Sequence, residues 1–204
     1  MNNTALLLVA VLFLSGCTSS TPAQQDNVCE IFYEKKGWYK DAKRSQRKWG
    51  TPIPVMMAFI HQESRFRARA KPPRKKILWI FPGPRPASAY GYSQATNETW
   101  KAYKKSTGSW SADRNKFHDA IDFIGWYNDQ SYRRNRIQKT DAFNLYLAYH
   151  EGQGGYAKKS YVKKGWLTDV ANKVSNRSGM YQGQLKTCEK NLNRNWFTRM
   201  FFKA

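Results

Sequence analysis

Residues 52–66 read Pro-Ile-Pro-Val-Met-Met-Ala-Phe-Ile-His-Gln-Glu-Ser-Arg-Phe, and the rest of the chain is organised around this stretch. The spacing predicts a helix with Pro54 in its first turn, where the missing N–H costs nothing. Apolar side chains recur at spacings of three and four and end in a carboxylic acid: Val55, Met56, Phe59, Ile60 and Glu63. Apolar surroundings raise the pKa of a carboxyl, which makes Glu63 a candidate proton donor near neutral pH. The alternative is an ion pair of Glu63 with a nearby base such as Arg65 or Arg67.

The start of the chain predicts export. Residues Ala5 to Leu14 form an apolar run that is too short to span a bilayer but has the length of a signal-peptide core. Leu14-Ser15-Gly16-Cys17 resembles the lipobox of bacterial lipoproteins. The resemblance implies a signal peptide over residues 1–16 and a lipid on Cys17. Because Asp does not follow the cysteine, it also implies sorting to the periplasmic face of the outer membrane. An ordinary cleaved signal with an incidental Cys17 stays open.

The rest of the chain has the length of one domain, residues 27–204, which follows a Ser-, Thr-, Pro- and Gln-rich stretch expected to be a flexible tether over residues 17–26. Cys29 and Cys188 lie near its opposite ends. In an oxidising compartment such a pair favours a disulfide, and two separate thiols are the alternative. No Cys-x-x-Cys or histidine cluster accompanies them, so we expect neither a metal site nor a cofactor.

The apolar spacing predicts a mostly helical domain without a strand period. Besides the Glu63 helix, the spacing predicts helices over residues 28–49, with a weak point at Gly37, and over residues 97–104, closed by Gly108. A longer helical stretch is expected from a cap at Ser111 to about Arg136, with an interruption at Gly125. Further helices are expected over residues 142–149, which stop at Gly152, and over residues 167–174 and 181–191. The Lys-, Arg- and Pro-rich insertion Lys71–Pro86 cannot be the interior of a helix. Within it, residues 77–80 predict a short strand or an apolar flap.

Three short motifs follow one another along the chain: Glu63-Ser64-Arg65-Phe66, Tyr90-Gly91-Tyr92-Ser93-Gln94 and Ala148-Tyr149-His150-Glu151-Gly152-Gln153-Gly154. Their order and spacing over about residues 50–155 resemble the SLT-type lytic transglycosylases and, more distantly, the goose-type lysozymes. The resemblance implies a mostly α, lysozyme-like (goose-lysozyme/SLT) single domain that carries the Lys71–Pro86 stretch as an insertion.

The three motifs match the family pattern to different degrees. The first, Glu-Ser-x-Phe, is matched in full. The second is usually Gly-Leu-Met-Gln and is matched only at Gly91 and Gln94. The third is usually Ala-x-Tyr-Asn-Ala-Gly; it keeps Tyr149 and Gly152 but has a His-Glu pair in place of Asn-Ala.

The resemblance implies a chemistry centred on one carboxyl. Glu63 would be the single catalytic acid and base that cleaves the β-1,4 bond between N-acetylmuramic acid and N-acetylglucosamine, leaving a 1,6-anhydro sugar. Ser64 and Tyr149 would orient Glu63 or its substrate, and Gly91 and Gln94 would line the sugar cleft. Each of these four also has a purely structural interpretation, as a helix-end hydroxyl, a buried phenol or part of a turn.

Glu151 has two interpretations. Facing Glu63 across a cleft, it would supply the second carboxylate of a hydrolytic muramidase. Pointing outward, it would be a solvated charge beside His150, and its place at a helix end before glycines favours this.

The net charge of +21, from 35 Lys and Arg against 14 Asp and Glu, attracts polyanions. Outside the cytoplasm these are the stem peptides of peptidoglycan, teichoic-like polymers and anionic lipids. The expected partners are peptidoglycan strands, the membrane through the lipid anchor, and an envelope-spanning machine; the export signal argues against nucleic acid. The apolar, basic tail 195–203 either packs on the domain or rests on the membrane. A non-catalytic wall-binding lipoprotein and a periplasmic polyanion-binding module are the alternatives to the enzyme.

Overall fold

A computed structural model describes residues 20–73 and 88–193, together with the backbone of two short strands between them. The elements in chain order are α1 Val28–Glu34, α2 Trp38–Trp49, α3 Ile53–Ser64, β1 Lys76–Ile77, β2 Phe81–Pro82, α4 Asn97–Thr107, α5 Phe117–Asn135, α6 Ala142–Ala157, a 3-10 turn Ser160–Lys163, and α7 Gly165–Asn193. The predicted class, a mostly helical lysozyme-like domain, is confirmed.

Helix α3 is the centre of the domain. Every residue from Ile53 to Ile60 is buried, and α2, α5 and α7 pack around it. The spacing of its apolar residues predicted one apolar face, whereas the helix is enclosed on all sides along its first two turns. A helix that is apolar all round belongs in a core. The functional end of the helix is therefore held by the core itself.

Helix α5 begins later than predicted and is not interrupted. It is preceded by Lys116 rather than capped at Ser111, and it runs through Gly125 to Asn135. A Cβ at Gly125 would lie 2.5 Å from Ser45 Oγ and 2.7 Å from Trp49 Cδ1, so the glycine serves close packing of α2 against α5. The interruption predicted at Gly125 was wrong, because a helical glycine can mark contact with another helix as well as a break.

Helices α6 and α7 also exceed their predicted lengths. The predicted stop in α6 is a local change at Gly152, which has φ 74° and ψ 162°, and the helix resumes as far as Ala157. The two C-terminal helices predicted separately form the single helix α7, which packs along α1, α3 and α6. The weak point at Gly37 is confirmed, since its φ of 98° separates α1 from α2.

The two ends of the domain are joined. A disulfide links Cys29 in α1 to Cys188 in α7, as predicted. Residues 20–26, expected to belong to the flexible tether, lie instead against α1 and α7. The Tyr181 hydroxyl donates to the carbonyl of Gln25, and Arg177 forms an ion pair of 2.6 Å with Asp26.

Several predictions fall outside the described residues. They are the signal peptide and Cys17, most of the Lys71–Pro86 insertion, and the tail 195–203. Within the insertion, β1 and β2 pair antiparallel through Lys76 opposite Pro82 and Ile77 opposite Phe81. In the part of the chain that the structure describes, no helix is both long and apolar enough to cross a membrane.

Candidate active site

Glu63 is the penultimate residue of α3, where the helix ends abruptly. The next two residues beyond the helix, Arg65 and Phe66, both have left-handed backbone, with φ values of 49° and 58°. The side chain of Phe66 is fully buried, and its ring lies 5.9 Å from that of Trp38. The packing of this ring fixes a sharp turn directly behind Glu63, which limits how far the end of the helix can move.

The carboxyl of Glu63 lies in a largely desolvated position. Burial raises its pKa to about 7, and a hydrogen bond from the Tyr146 hydroxyl acts weakly in the opposite direction. No Lys or Arg forms an ion pair with it in the described part of the chain, and Arg67 donates instead to the carbonyl of Ser64 at 3.1 Å. The ion-pair alternative for Glu63 is therefore wrong. Close to neutral pH the carboxyl holds a proton that it can donate.

Tyr149 packs beside the acid but does not hold it directly. Its ring centroid is 5.3 Å from that of Phe59, one turn before Glu63, and its hydroxyl donates to the carbonyl of Ser93 at 2.5 Å. Burial raises the pKa of Tyr149 well above its ordinary value, and the nearby charge of Glu63 adds to the effect. Tyr149 therefore joins α6 to the loop before α4, while Tyr146 makes the hydrogen bond to the acid.

The second motif forms that loop. Gly91 has φ +77°, and a Cβ there would lie 2.1 Å from the carbonyl oxygen of Arg114, so only glycine fits. The side-chain amide of Gln94 donates to the carbonyls of Ala70 at 3.0 Å and Gly91 at 2.8 Å. These bonds shape the turn that presents the carbonyl of Ser93 to Tyr149. A direct contact of Gly91 or Gln94 with sugar stays a prediction.

Ser64 is buried, and its hydroxyl donates to the carbonyl of Ile60 at 3.1 Å. The structure thus places it as a helix-end hydroxyl, and a role in orienting Glu63 stays a prediction.

Glu151 is held by other partners. Lys164 Nζ lies 2.7 Å from one carboxylate oxygen and 3.0 Å from the other, the Ser160 hydroxyl donates to it, and His150 lies 3.1 Å away. The bonds from Lys164 and Ser160 lower the pKa of Glu151 to about 2. It lies beside His150 as predicted, but its side chain is only 4% exposed, so it is a paired rather than a solvated charge.

A cleft of about 520 Å³ opens between α4, α5 and α6. Trp126 and Tyr127 supply aromatic walls, and Gln130, Arg134 and Gln153 supply polar groups. The ring centroid of Tyr127, which lines the cleft, lies 5.0 Å from that of Tyr149. Tyr149 in turn packs beside Glu63, so only these two rings separate the cleft from the carboxyl. Aromatic faces with a few polar groups suit a sugar.

Sequence reasoning missed Tyr146, Tyr127 and Gln153. A signal existed for Tyr146, which precedes Tyr149 by three residues and so shares its helix face. Tyr127 donates to the carbonyl of Ala148 at 3.2 Å and also bonds Gln153. Gln153 in turn donates to the Ser131 hydroxyl at 2.9 Å. The partners of these two residues come from the packing of α5 on α6, which no local pattern reveals.

Comparison with known proteins gives one clear match. The family model described as the transglycosylase SLT domain matches residues 5–188. No curated protein and no solved structure matches the chain significantly. Among the residues that the structure describes, no three His, Cys, Asp or Glu side chains group closely enough to hold a metal ion.

Proposed function

This chain belongs to the transglycosylase SLT domain family, and on that premise we propose that it is a peptidoglycan lytic transglycosylase with Glu63 as its only catalytic acid and base. The observation that carries the proposal is the carboxyl of Glu63 at the end of α3: the residue is half-buried, its carboxyl forms no ion pair within the described structure, and desolvation raises its pKa to about 7. Such a group can both give and take a proton at neutral pH.

The first half of the reaction is protonation. The carboxylic acid of Glu63 donates its proton to the glycosidic oxygen between N-acetylmuramic acid and N-acetylglucosamine. The bond from C1 to that oxygen breaks, the N-acetylglucosamine residue leaves as an alcohol, and C1 develops oxocarbenium character. The hydrogen bond from Tyr146 stabilises the carboxylate that Glu63 has now become.

The second half returns the proton. The 6-hydroxyl of the muramyl residue attacks C1 while the carboxylate of Glu63 accepts its proton. A bond from O6 to C1 forms, the product is a 1,6-anhydromuramyl end, and no water is consumed. This sequence needs only one carboxylate, in keeping with the pairing of Glu151 to Lys164.

Digestion of purified sacculi tests the proposal. We expect the wild-type protein to release anhydromuropeptides, identified by mass spectrometry, and Glu63→Gln to lose about 100- to 10,000-fold in rate. Glu151→Gln is the matched control, since it makes the same Glu-to-Gln substitution at a carboxylate outside the mechanism. Reducing-end products lost in Glu151→Gln would instead indicate a muramidase. Binding to sacculi without cleavage would indicate a wall-binding protein.

We also propose that Cys17 carries a lipid that holds the domain at the periplasmic face of the outer membrane. The support is the lipobox-like Leu14-Ser15-Gly16-Cys17. Labelled palmitate should be incorporated into the wild-type protein, and the labelled protein should fractionate with the outer membrane. The variant Cys17→Ser should stay unlabelled. Export of an unlabelled but cleaved wild-type protein would contradict the anchor.

A further inference from the structure

A second cavity lies on another side of α3. It is a groove of about 390 Å³ between α3 and α7, lined by Ala58, His61 and Gln62 of α3 and by Arg65, which directly follows the helix. The three α3 positions are spaced by three and four and so share one helix face. Glu63 faces Tyr146 of α6, away from this groove. We call it the α3–α7 groove; it is separate from the candidate active site.

The α3–α7 groove is lined by three cations and no carboxylate. Arg65 directly follows α3, and Lys173 and Arg177 come from α7. Arg65 and Lys173 form no ion pair within the described residues, and Arg177 is paired with Asp26, whose side chain is 80% exposed. A bound anion would be attracted by these like charges and would offset the repulsion among them.

His61 adds a polar group to the same groove. Its residue is only 9% exposed, and the described structure gives its ring a contact with Phe66 but no hydrogen bond. Burial, together with the charges of Arg177 and Arg65, lowers its pKa to about 4, while the charge of Asp26 acts in the opposite direction. At neutral pH a neutral imidazole therefore lines the groove, and its N–H is available to a ligand.

We propose that the α3–α7 groove binds the phosphate group of a phosphate ester. The three cations and Asp26 leave a local charge near +2, which suits a phosphate monoester better than a carboxylate. Donors reach the groove from both helices, and a phosphate with its several oxygens accepts from more directions than a planar carboxylate. Exposed Met180 on one wall would contact an attached organic group. The proposal does not depend on the enzymatic activity.

Titration of the purified protein at constant ionic strength tests this site. The probes are glycerol 3-phosphate and acetate, followed through the NMR signals of the His61 ring. We expect glycerol 3-phosphate to bind and to raise the pKa of His61, because it adds negative charge beside Asp26 and opposite Arg65, Lys173 and Arg177. Acetate should bind at least about tenfold more weakly. Equal binding of both probes would overturn the phosphate assignment.

Paired variants separate the site from the general positive field. Arg65→Gln with Lys173→Gln should weaken glycerol 3-phosphate binding by at least about tenfold. Lys101→Gln with Lys105→Gln removes the same charge from α4 and should change it less than about twofold. Equal losses in the two double variants would overturn the site. Circular dichroism checks that each double variant is folded. If the groove double variant is not folded, the single variant Lys173→Gln replaces it, because Lys173 is exposed.

Vesicles then identify the source of the phosphate. If phosphatidic acid vesicles, whose headgroup is a phosphate monoester, displace glycerol 3-phosphate from the wild-type protein and bind the groove double variant more weakly than the α4 control, the ligand is a lipid headgroup. If glycerol 3-phosphate binds but vesicle binding is the same in both double variants, the ligand is a soluble ester. Either result supports the site. If neither glycerol 3-phosphate nor the vesicles bind, the site is refuted.

Discussion

At the scale of single residues, the proton on Glu63 should set the pH range of the proposed reaction. Because the acid must be protonated to start the reaction, kcat/KM should fall as the pH rises above about 7, the pKa of Glu63. The hydrogen bond from Tyr146 favours the carboxylate, so Tyr146→Phe should raise that pKa and move the alkaline limb to higher pH.

The pH dependence of anhydromuropeptide release from sacculi measures this shift. Tyr33→Phe, which changes an exposed tyrosine on α1, is the control and should leave the limb in place. A limb that moves to lower pH in Tyr146→Phe would contradict the proposed hydrogen bond.

The same proton links Glu63 to stability. Its pKa is raised from 4.5 to about 7 on folding, so its contribution to stability is complete below pH 4.5 and is lost as the pH rises through 7. Glu63→Gln should therefore gain stability relative to the wild type between pH 4 and pH 8, by up to about 3 kcal/mol. Urea unfolding at the two pH values measures the difference.

Glu151 provides a control, because the pH dependence of its contribution to stability has the opposite sign. Its pKa is lowered to about 2, so its stabilisation is present above pH 4.5 and is lost as the pH falls towards 2. Glu151→Gln should be destabilising at pH 8. If Glu63→Gln gains nothing between pH 4 and pH 8, the carboxyl of Glu63 is not buried as described.

The sequence located the acid but not its partner. Glu63 was predictable because it follows an apolar stripe, and burial of a carboxyl beside such a stripe has a known effect on its pKa. Tyr149 was predicted to steady the acid, yet its hydroxyl goes to Ser93 while Tyr146 bonds Glu63. Both tyrosines lie on the same face of α6, and only the packing of α6 against α3 decides which of them reaches the carboxyl.

At the scale of elements, the break at Gly152 positions the far side of the site. Its φ of 74° and ψ of 162° are accessible essentially to glycine alone, and a Cβ there would meet no atom within 4 Å. Gly152→Ala should therefore cost about 1–3 kcal/mol through backbone strain alone. The substitution should also disturb the bond from Gln153 to Ser131 and lower cleavage of sacculi.

Gly154 offers a matched control two residues further on. It lies within the helix, and a Cβ added there would also meet no atom within 4 Å, so Gly154→Ala should stabilise the protein by up to about 1 kcal/mol. Thermal unfolding of the two variants compares them directly. Equal effects of both substitutions would show that the backbone at Gly152 is not strained for alanine.

The boundaries of elements were predictable only where proline or a local cap fixes them. Thr96 caps α4 and Asp141 caps α6 through side-chain oxygens that accept from backbone N–H groups of the first turn, which is a common use of these residue types. Gly125 and Gly152 carry the same sequence signal, but the first allows α2 to approach α5 and the second kinks α6. Local sequence cannot separate these two uses of glycine, because the difference lies in what packs against the residue.

At the scale of the whole molecule, the Cys29–Cys188 disulfide encloses nearly all of the described fold. In the chain-entropy model a loop of this size stabilises by about 5 kcal/mol. The double variant Cys29→Ser with Cys188→Ser should lose most of that free energy of unfolding, measured in urea against the oxidised wild type. A loss below about 1 kcal/mol would show that the helices hold α1 and α7 together without the bond.

The overall class was predictable because helical spacing persists through the chain and strand alternation does not. The docking of residues 20–26 was not predictable. Their composition is typical of a flexible tether, but Tyr181 and Arg177, more than 150 residues away, provide partners for the carbonyl of Gln25 and for Asp26. Composition describes what a segment does alone, and these contacts form only once α7 is in place.

The span of the disulfide also governs when it can form. If the chain is exported from its N-terminus, Cys29 reaches the oxidising compartment before Cys188, which follows only after α2 to α6 and most of α7. During that interval Cys17, only twelve positions away, is the nearest competing thiol. Conversion of Cys17 to a thioether would remove that competitor, so acylation would guard the correct oxidation of the two remaining cysteines.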